Sequence, residues 1–148
     1  MSENLSIVRK FLDLVGETEA NRIVDHNKID FSTLKSLLTS DFVIRNPIFH
    51  PDHGIIKDVG ESSDGSLIGP DAMEEDIKAT ASYFSFSVKD SKYYDAGDVI
   101  IFQGTINVRG LKTGELVETP FAELFYIRDG LIYLIEPYLN TNAVRQVI

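Results

Sequence analysis

The chain has 148 residues, of which 43% are hydrophobic and 25% are charged, and its formal net charge at pH 7 is −9. A chain of this length fits one domain, which we place at residues 1–148, and needs no disulfide or metal to fold. The negative charge argues against a nucleic-acid partner, because Lys and Arg supply most of that affinity by neutralising phosphates. The absence of cysteine excludes a thiol nucleophile and a zinc–thiolate site.

The sequence also predicts a cytoplasmic protein without a membrane partner. Residues 1–5 contain no basic run leading into an apolar signal core. No segment approaches the roughly 20 consecutive apolar residues that a membrane-spanning helix requires.

Helical patterns dominate the first part of the chain. Helices are predicted over 5–15, over 18–25, and from Asp30 or Ser32 onward. Gly16 is placed to cap the first helix at its carboxyl end. A short strand over 42–44 is predicted to end before Pro47, because proline cannot extend a strand ladder.

The segment 47–69 has no firm periodicity and is predicted to be a lid, a binding loop or a disordered segment. Pro70 and the acids after it are typical of a helix start, and this helix is predicted to reach about Tyr83. Strands are predicted over 84–88, 99–108, 115–127 and 131–139. Helices followed by an antiparallel meander predict an α+β fold with the helices packed on one sheet face.

Several short motifs carry a family resemblance. The Asp-Gly turn in Arg128–Ile132 leads into Glu136–Asn140, while Asp41–Pro47 and Gly69–Asp71 precede them in the chain. In this order and spacing, the chain resembles the NTF2-like superfamily, above all its SnoaL-like and ketosteroid isomerase-like branches, and phenazine-biosynthesis A/B proteins. The resemblance implies a cone in which a curved sheet and the N-terminal helices enclose one pocket, and it implies frequent homodimers.

The resemblance also implies positions for catalytic groups. Ketosteroid isomerase uses a base carboxylate, a tyrosine and a protonated aspartate. The base position corresponds to Asn46, which cannot abstract a proton at neutral pH, and the tyrosine position corresponds to Phe11. The oxyanion aspartate corresponds to Glu123, which is still an acid. Steroid isomerisation by that mechanism is therefore not expected.

Glu123 is the leading candidate for chemistry. Strand alternation places it on one face with Phe121 and Phe125, where ionising a carboxyl is costly, so its pKa is expected to rise. A raised pKa suits a general acid or an oxyanion donor. The alternative is that Glu123 faces solvent or pairs with Arg45 or Arg109.

The predicted pocket face continues through neighbouring strands. Its candidate ligand-binding residues are Phe11, Thr119, Phe121, Phe125, Ile135, Pro137, Leu139 and Asp76. For Asp76 the sequence favours a solvated acidic face, because Glu74 and Glu75 adjoin it. Glu118 and Glu136 have the opposite parity, although a register slip of one residue would turn Glu136 inward.

The loop histidines offer a second kind of chemistry. His50 is a candidate acid/base group reaching over the pocket mouth, because imidazole titrates near neutrality. His50, Asp52 and His53 resemble a metal site in composition, but no third ligand has diagnostic spacing, and no metal is predicted. His26 is interpreted as a surface residue or a helix end.

Two functions remain open from the sequence. The first is a SnoaL-like enzyme of isomerase, cyclase or dehydratase type, working by acid/base catalysis without a cofactor on an apolar carbonyl-bearing or polycyclic metabolite. Glu123, Asn46 and His50 would be its catalytic groups, with Asn46 acting as a neutral hydrogen-bonding group. The second is a non-catalytic ligand-binding or oligomerisation module, which the loss of the family's base and tyrosine would suit.

Overall fold

The computed structural model of the protein describes residues 2–16, 26–56, 59 and 64–148. Its α-helices are α1 (Glu3–Val15), α2 (Phe31–Ser36), α3 (Asp71–Ala81) and α4 (Thr141–Arg145). Its strands are β1 (Leu38–Ile44), β2 (Leu67–Ile68), β3 (Phe84–Asp95), β4 (Val99–Gly110), β5 (Leu116–Arg128) and β6 (Leu131–Leu139). Short 3₁₀ helices lie at His26–Lys28 and Pro47–Phe49.

In the described residues, six strands form one curved sheet in the order β2-β1-β6-β5-β4-β3. All neighbouring strands are antiparallel except β1 and β6, which run parallel. The predicted α+β fold, with a curved sheet and helices in the manner of an NTF2-like cone, is confirmed. Within the described residues, no helix is both long enough and apolar enough to cross a membrane.

Local sequence explains where α1 begins and ends. The Ser2 hydroxyl accepts a hydrogen bond from the Leu5 N–H at 3.0 Å, which satisfies one donor of the first turn. Gly16 ends the helix in the left-handed conformation, with φ of 78°. The helix buries Val8, Phe11 and Leu12 against the sheet, as its periodicity predicts.

Two features shape the long strands. β3 contains a bulge between Lys89 and Lys92, where Asp90 adopts a φ of 55°. Gly104 of β4 lies against this bulge, and a Cβ there would stand 2.8 Å from the Lys89 carbonyl oxygen. The bulge and the glycine allow the sheet to bend around the helices. At the β5–β6 turn, Asp129 and Gly130 both have positive φ, as a type I′ hairpin requires.

Several element boundaries differ from the sequence predictions. β1 begins at Leu38, so it is longer than predicted, and α3 ends at Ala81. The segment 47–69 is not wholly irregular where the structure describes it: Phe49 and Ile56 are buried, and β2 pairs with β1. The predicted helix over 18–25 lies outside the described residues.

The C-terminal helix α4 was not predicted. Its N-cap is Asn140, whose side-chain oxygen accepts from the Ala143 N–H at 3.1 Å. Arg145 then donates hydrogen bonds to the carbonyl oxygens of His53 and Gly54. This helix therefore fastens the segment after β1 to the end of the sheet.

Candidate functional site

A cavity of about 130 Å³ lies between the helices and the inner face of the sheet. Most of its lining is apolar and comes from α1, α3 and strands β1 and β3 to β6, for example Phe11, Met73 and Phe121. The lining also includes polar side chains from different parts of the chain, among them Asn46, Asp76 and Glu123. An apolar cavity with few convergent polar groups is typical of a small-molecule site.

Strand register brings Glu123 to this cavity. On β5 it lies between the buried Phe121 and Phe125, and it is paired with Phe102 on β4 and Pro137 on β6. The side chain is partly buried and belongs to the cavity lining. A carboxyl in this position can donate or accept a proton beside a bound ligand.

Asn46 lies just after β1, and its side chain makes two hydrogen bonds. Its Oδ1 accepts from the Ile48 N–H at 3.2 Å, which caps the 3₁₀ helix after it. Its Nδ2 donates to Oδ2 of Asp76, also at 3.2 Å. The position where the family resemblance implies a base therefore holds an amide in contact with a carboxyl group.

Asp76 is buried, which corrects the interpretation that it lies on a solvated acidic face. Only 7% of the residue is exposed, and it lines the cavity from α3. On the same helix, Asp71 and Glu75 are the exposed acids, and Glu74 is partly exposed. Hydrogen bonds from Lys35 and then Lys78 lower the pKa of Glu74 to about 2.

The remaining predicted ligand-binding residues divide into two groups. Phe11, Phe121, Ile135, Pro137 and Leu139 line the cavity. Thr119 and Phe125 do not; both are buried in the protein, and the Phe125 ring packs edge-on against Phe11 with centroids 5.6 Å apart. The expected period-2 face is thus continuous, but the cavity borders only part of it.

His50 also differs from its predicted placement, because it does not line the cavity. Its ring stacks on His53 with centroids 3.8 Å apart, and its Nδ1 accepts from the Asp52 N–H. Among the residues that the structure describes, no three His, Cys, Asp or Glu side chains are grouped closely enough to hold a metal ion.

The outer face of the sheet carries the other two acids of β5 and β6. Glu118 forms an ion pair with Lys89 at 2.7 Å, and Glu136 forms one with Arg45 at 3.5 Å. The β5–β6 register pairs Glu136 with Leu124 and Pro137 with Glu123, so the one-residue slip considered for Glu136 does not occur. Arg109 donates to the Gly114 carbonyl at 2.7 Å.

Four polar residues of the cavity, in the part of the chain that the structure describes, were not among the predicted site residues: His26, Thr80, Ser85 and Tyr138. His26 begins the first 3₁₀ helix, Thr80 lies one helical turn after Asp76, and Tyr138 is at the end of β6. Thr80 carried a usable signal, because residues four apart share a helix face. His26 carried no such sequence signal. Tyr138 has the parity of the outer face, and 53% of the residue is exposed.

The family model for the SnoaL-like domain matches residues 8–135. The chain belongs to the SnoaL-like family. The matched range includes Phe11, Asn46, Asp76 and Glu123 of the cavity. No curated protein matches the chain by sequence.

Solved structures share the fold of this SnoaL-like protein at low identity. An NTF2-like protein from Burkholderia pseudomallei is 17% identical, with a TM-score of 0.76 and coverage of 100% of this chain and 98% of the other. TerC co-crystallised with polyporic acid is 16% identical, with a TM-score of 0.73 and coverage of 99% and 98%. A phenazine biosynthesis-related protein from Pseudomonas aeruginosa is 16% identical, with a TM-score of 0.67 and coverage of 98% and 80%.

Proposed function

We propose that this SnoaL-like protein is an acid/base catalyst that works without a cofactor on an apolar, carbonyl-bearing small molecule. The observation that carries the proposal is the convergence of Glu123, Asp76 and Asn46 on one mostly apolar cavity. Binding in such a cavity removes water from the ligand, which strengthens each polar contact made to it.

Glu123 is the proposed acid. When a proton leaves the carbon next to a carbonyl group, negative charge develops on the carbonyl oxygen. A carboxyl group that holds its proton can donate a hydrogen bond to this oxygen from among Phe121 and the apolar residues of the neighbouring strands. Removing one oxyanion donor typically lowers kcat by about 10²–10³-fold. Isomerase, cyclase and dehydratase reactions that pass through an enolate share this step.

A second candidate function is ligand binding without catalysis. It is favoured by Asn46 and Phe11, which stand where the ketosteroid isomerase resemblance implies a base and a hydroxyl. Such a protein would use the same cavity, and Glu123 and Asp76 would then orient a ligand without exchanging protons with it.

Solvent proton exchange separates the two functions. A panel of apolar ketones in D₂O is followed by NMR for loss of the proton next to the carbonyl. We expect the wild type to accelerate exchange for at least one ketone, Glu123→Gln to lose about 10²-fold or more, and the outer-face control Glu118→Gln to keep the wild-type rate. Ketones that bind without any accelerated exchange would support the binding module.

We also propose a homodimer formed through the outer face of the sheet. Leu124, Tyr126 and Leu134 adjoin there, and the Tyr126 and Tyr133 rings lie 6.1 Å apart. Apolar outer faces are commonly covered by an isologous partner. Light scattering is expected to give twice the protomer mass, and the Leu124→Arg variant half of that. A monomer at high micromolar wild-type concentration would rule the dimer out.

A further inference from the structure

The hydrogen bonds of Asn46 fix which way its amide points. A backbone N–H can only donate, so the group 3.2 Å from the Ile48 nitrogen must be the side-chain oxygen of Asn46. The amide NH₂ is then directed to Oδ2 of Asp76. Asn46 thus presents a donor to the carboxyl group, and a donated hydrogen bond favours the ionised form of a carboxylate.

Asp76 is also placed to reach a ligand. It projects from α3 on the same side as Met73, Ile77 and Thr80, all of which line the cavity. The acids on either side of this stripe differ from it: Glu75 is exposed, and Glu74 binds Lys35 and Lys78. Only Asp76 among the acids of α3 belongs to the cavity lining in the described structure.

We infer that Asp76 is the general base of this enzyme, held in position by Asn46, and that its substrate is a one-ring ketone with an acidic proton beside the carbonyl. This inference rests on the proposed function, because it supplies the base that works with Glu123. The carboxylate that the family resemblance implies after β1 has been replaced by an amide, and the carboxylate in contact with that amide comes from α3 instead.

The size of the cavity indicates a substrate with one ring. Its volume of about 130 Å³ is close to the roughly 150 Å³ of an engineered apolar cavity that binds benzene. A six-membered ring therefore fills it, whereas a four-ring compound would have to leave most of its surface outside. The lining agrees, since apolar side chains such as Phe121 and Ile135 surround the polar groups.

The reaction step can be written with atoms and electrons balanced. The Asp76 carboxylate takes a proton from the carbon beside the carbonyl, and the C–H electron pair forms a carbon–carbon double bond. The carbonyl π electrons move to the oxygen, which accepts a hydrogen bond from Glu123. In a β,γ-unsaturated ketone the proton returns from Asp76 to the γ-carbon, which gives the conjugated isomer and restores both acids.

Cyclohex-3-en-1-one is a suitable probe, because its conjugated product absorbs in the ultraviolet. We expect the wild type to isomerise it, and Asp76→Asn to lower kcat/KM by about 10²-fold or more, as general-base catalysis contributes about 10²–10⁴-fold. Glu75→Gln is the matched control, since it removes an acid from the next position of the same helix but from solvent. It should keep the wild-type rate.

The other outcomes test the base assignment, the one-ring substrate and the proposed function separately. Full activity in Asp76→Asn with loss in Glu123→Gln would overturn the base assignment and leave the proposed function standing. If the wild type does not isomerise the probe but does exchange protons on larger ketones, the assignment of a one-ring substrate is overturned. No exchange with any ketone would overturn the proposed function itself. If Asp76→Asn does not fold, Asp76→Glu replaces it: a lower kcat at similar KM supports the assignment, and an unchanged kcat overturns it.

Discussion

The two faces of the central strands carry the same kind of acid in different surroundings. On the outer face, Glu118 and Glu136 form ion pairs with Lys89 and Arg45. On the inner face, Glu123 lines an apolar cavity. Asp76 lines the same cavity from α3, and the Asn46 amide donates a hydrogen bond to its carboxyl group. Ion pairs exposed to solvent contribute little to the free energy of unfolding, typically 0–1 kcal/mol. Position relative to the cavity, and not residue type, therefore marks an acid of this protein as a candidate for chemistry.

The largest expected difference between the faces is in stability. Phe125→Ala removes a fully buried ring that packs on Phe11, so it should lower the free energy of unfolding by about 3–5 kcal/mol. Leu116→Ala on the same strand is the control, because Leu116 is exposed and its loss should change the free energy by no more than about 0.5 kcal/mol. Urea denaturation measures both. Equal losses would mean that the inner face is not the core of the protein.

The next effect concerns the contact between Asn46 and Asp76. Asn46→Asp puts a second carboxyl about 3 Å from Asp76 and removes the amide donor, so the two acids must share one proton near neutral pH. We expect the rate of cyclohex-3-en-1-one isomerisation to fall by about tenfold or more, which corresponds to the loss of one hydrogen bond to a charged group.

The family resemblance taken alone would lead to the opposite expectation for this variant, since it would restore a carboxylate where relatives have their base. Asn46→Ala is the control, because it removes the donor without adding a charge and should give an intermediate rate. A higher isomerisation rate in Asn46→Asp than in the wild type would contradict the assignment of Asp76 as the base.

Much of the fold could be predicted from the sequence because it depends on local patterns. The periodicity of α1, the Gly16 cap and the Asp129-Gly130 hairpin each have a physical cause within a few residues of the chain. Strand alternation likewise predicted which face of β5 carries Glu123. The register of β6 followed from the same parity, and Pro137 does lie beside Glu123.

The candidate site was harder to predict because it depends on contacts between distant segments. Asp76 and Asn46 are 30 residues apart, and neither sequence neighbourhood indicates that they meet. The acids beside Asp76 favoured a solvated face, yet one helix can bury one acid and expose the next. His50 was misplaced for a related reason: its neighbours gave no sign that it would stack on His53 rather than reach the cavity.

The smallest expected effect concerns Glu74, which is on α3 with Asp76 but binds lysines. The lowered pKa of Glu74, about 2 against an ordinary 4.5, means that its ion pairs stabilise the folded state above pH 4.5. That stabilisation is lost as the pH falls through about 2. Glu74→Gln should therefore lower the midpoint of thermal unfolding slightly at pH 7 and by a smaller amount near pH 2. A difference of the same size at both pH values would show that the ion pairs with Lys35 and Lys78 are not its cause.

The most direct test of the inner cavity as the reaction site is to locate a bound ligand by NMR. Cyclohex-2-en-1-one, the product of the probe reaction, is titrated into ¹⁵N-labelled wild-type protein. We expect the largest amide shifts at Asn46, Asp76 and Glu123, and no shift at Glu118 and Arg128 on the outer face. Saturable shifts confined to the outer face, with the cavity amides unmoved, would contradict the inner cavity as the reaction site.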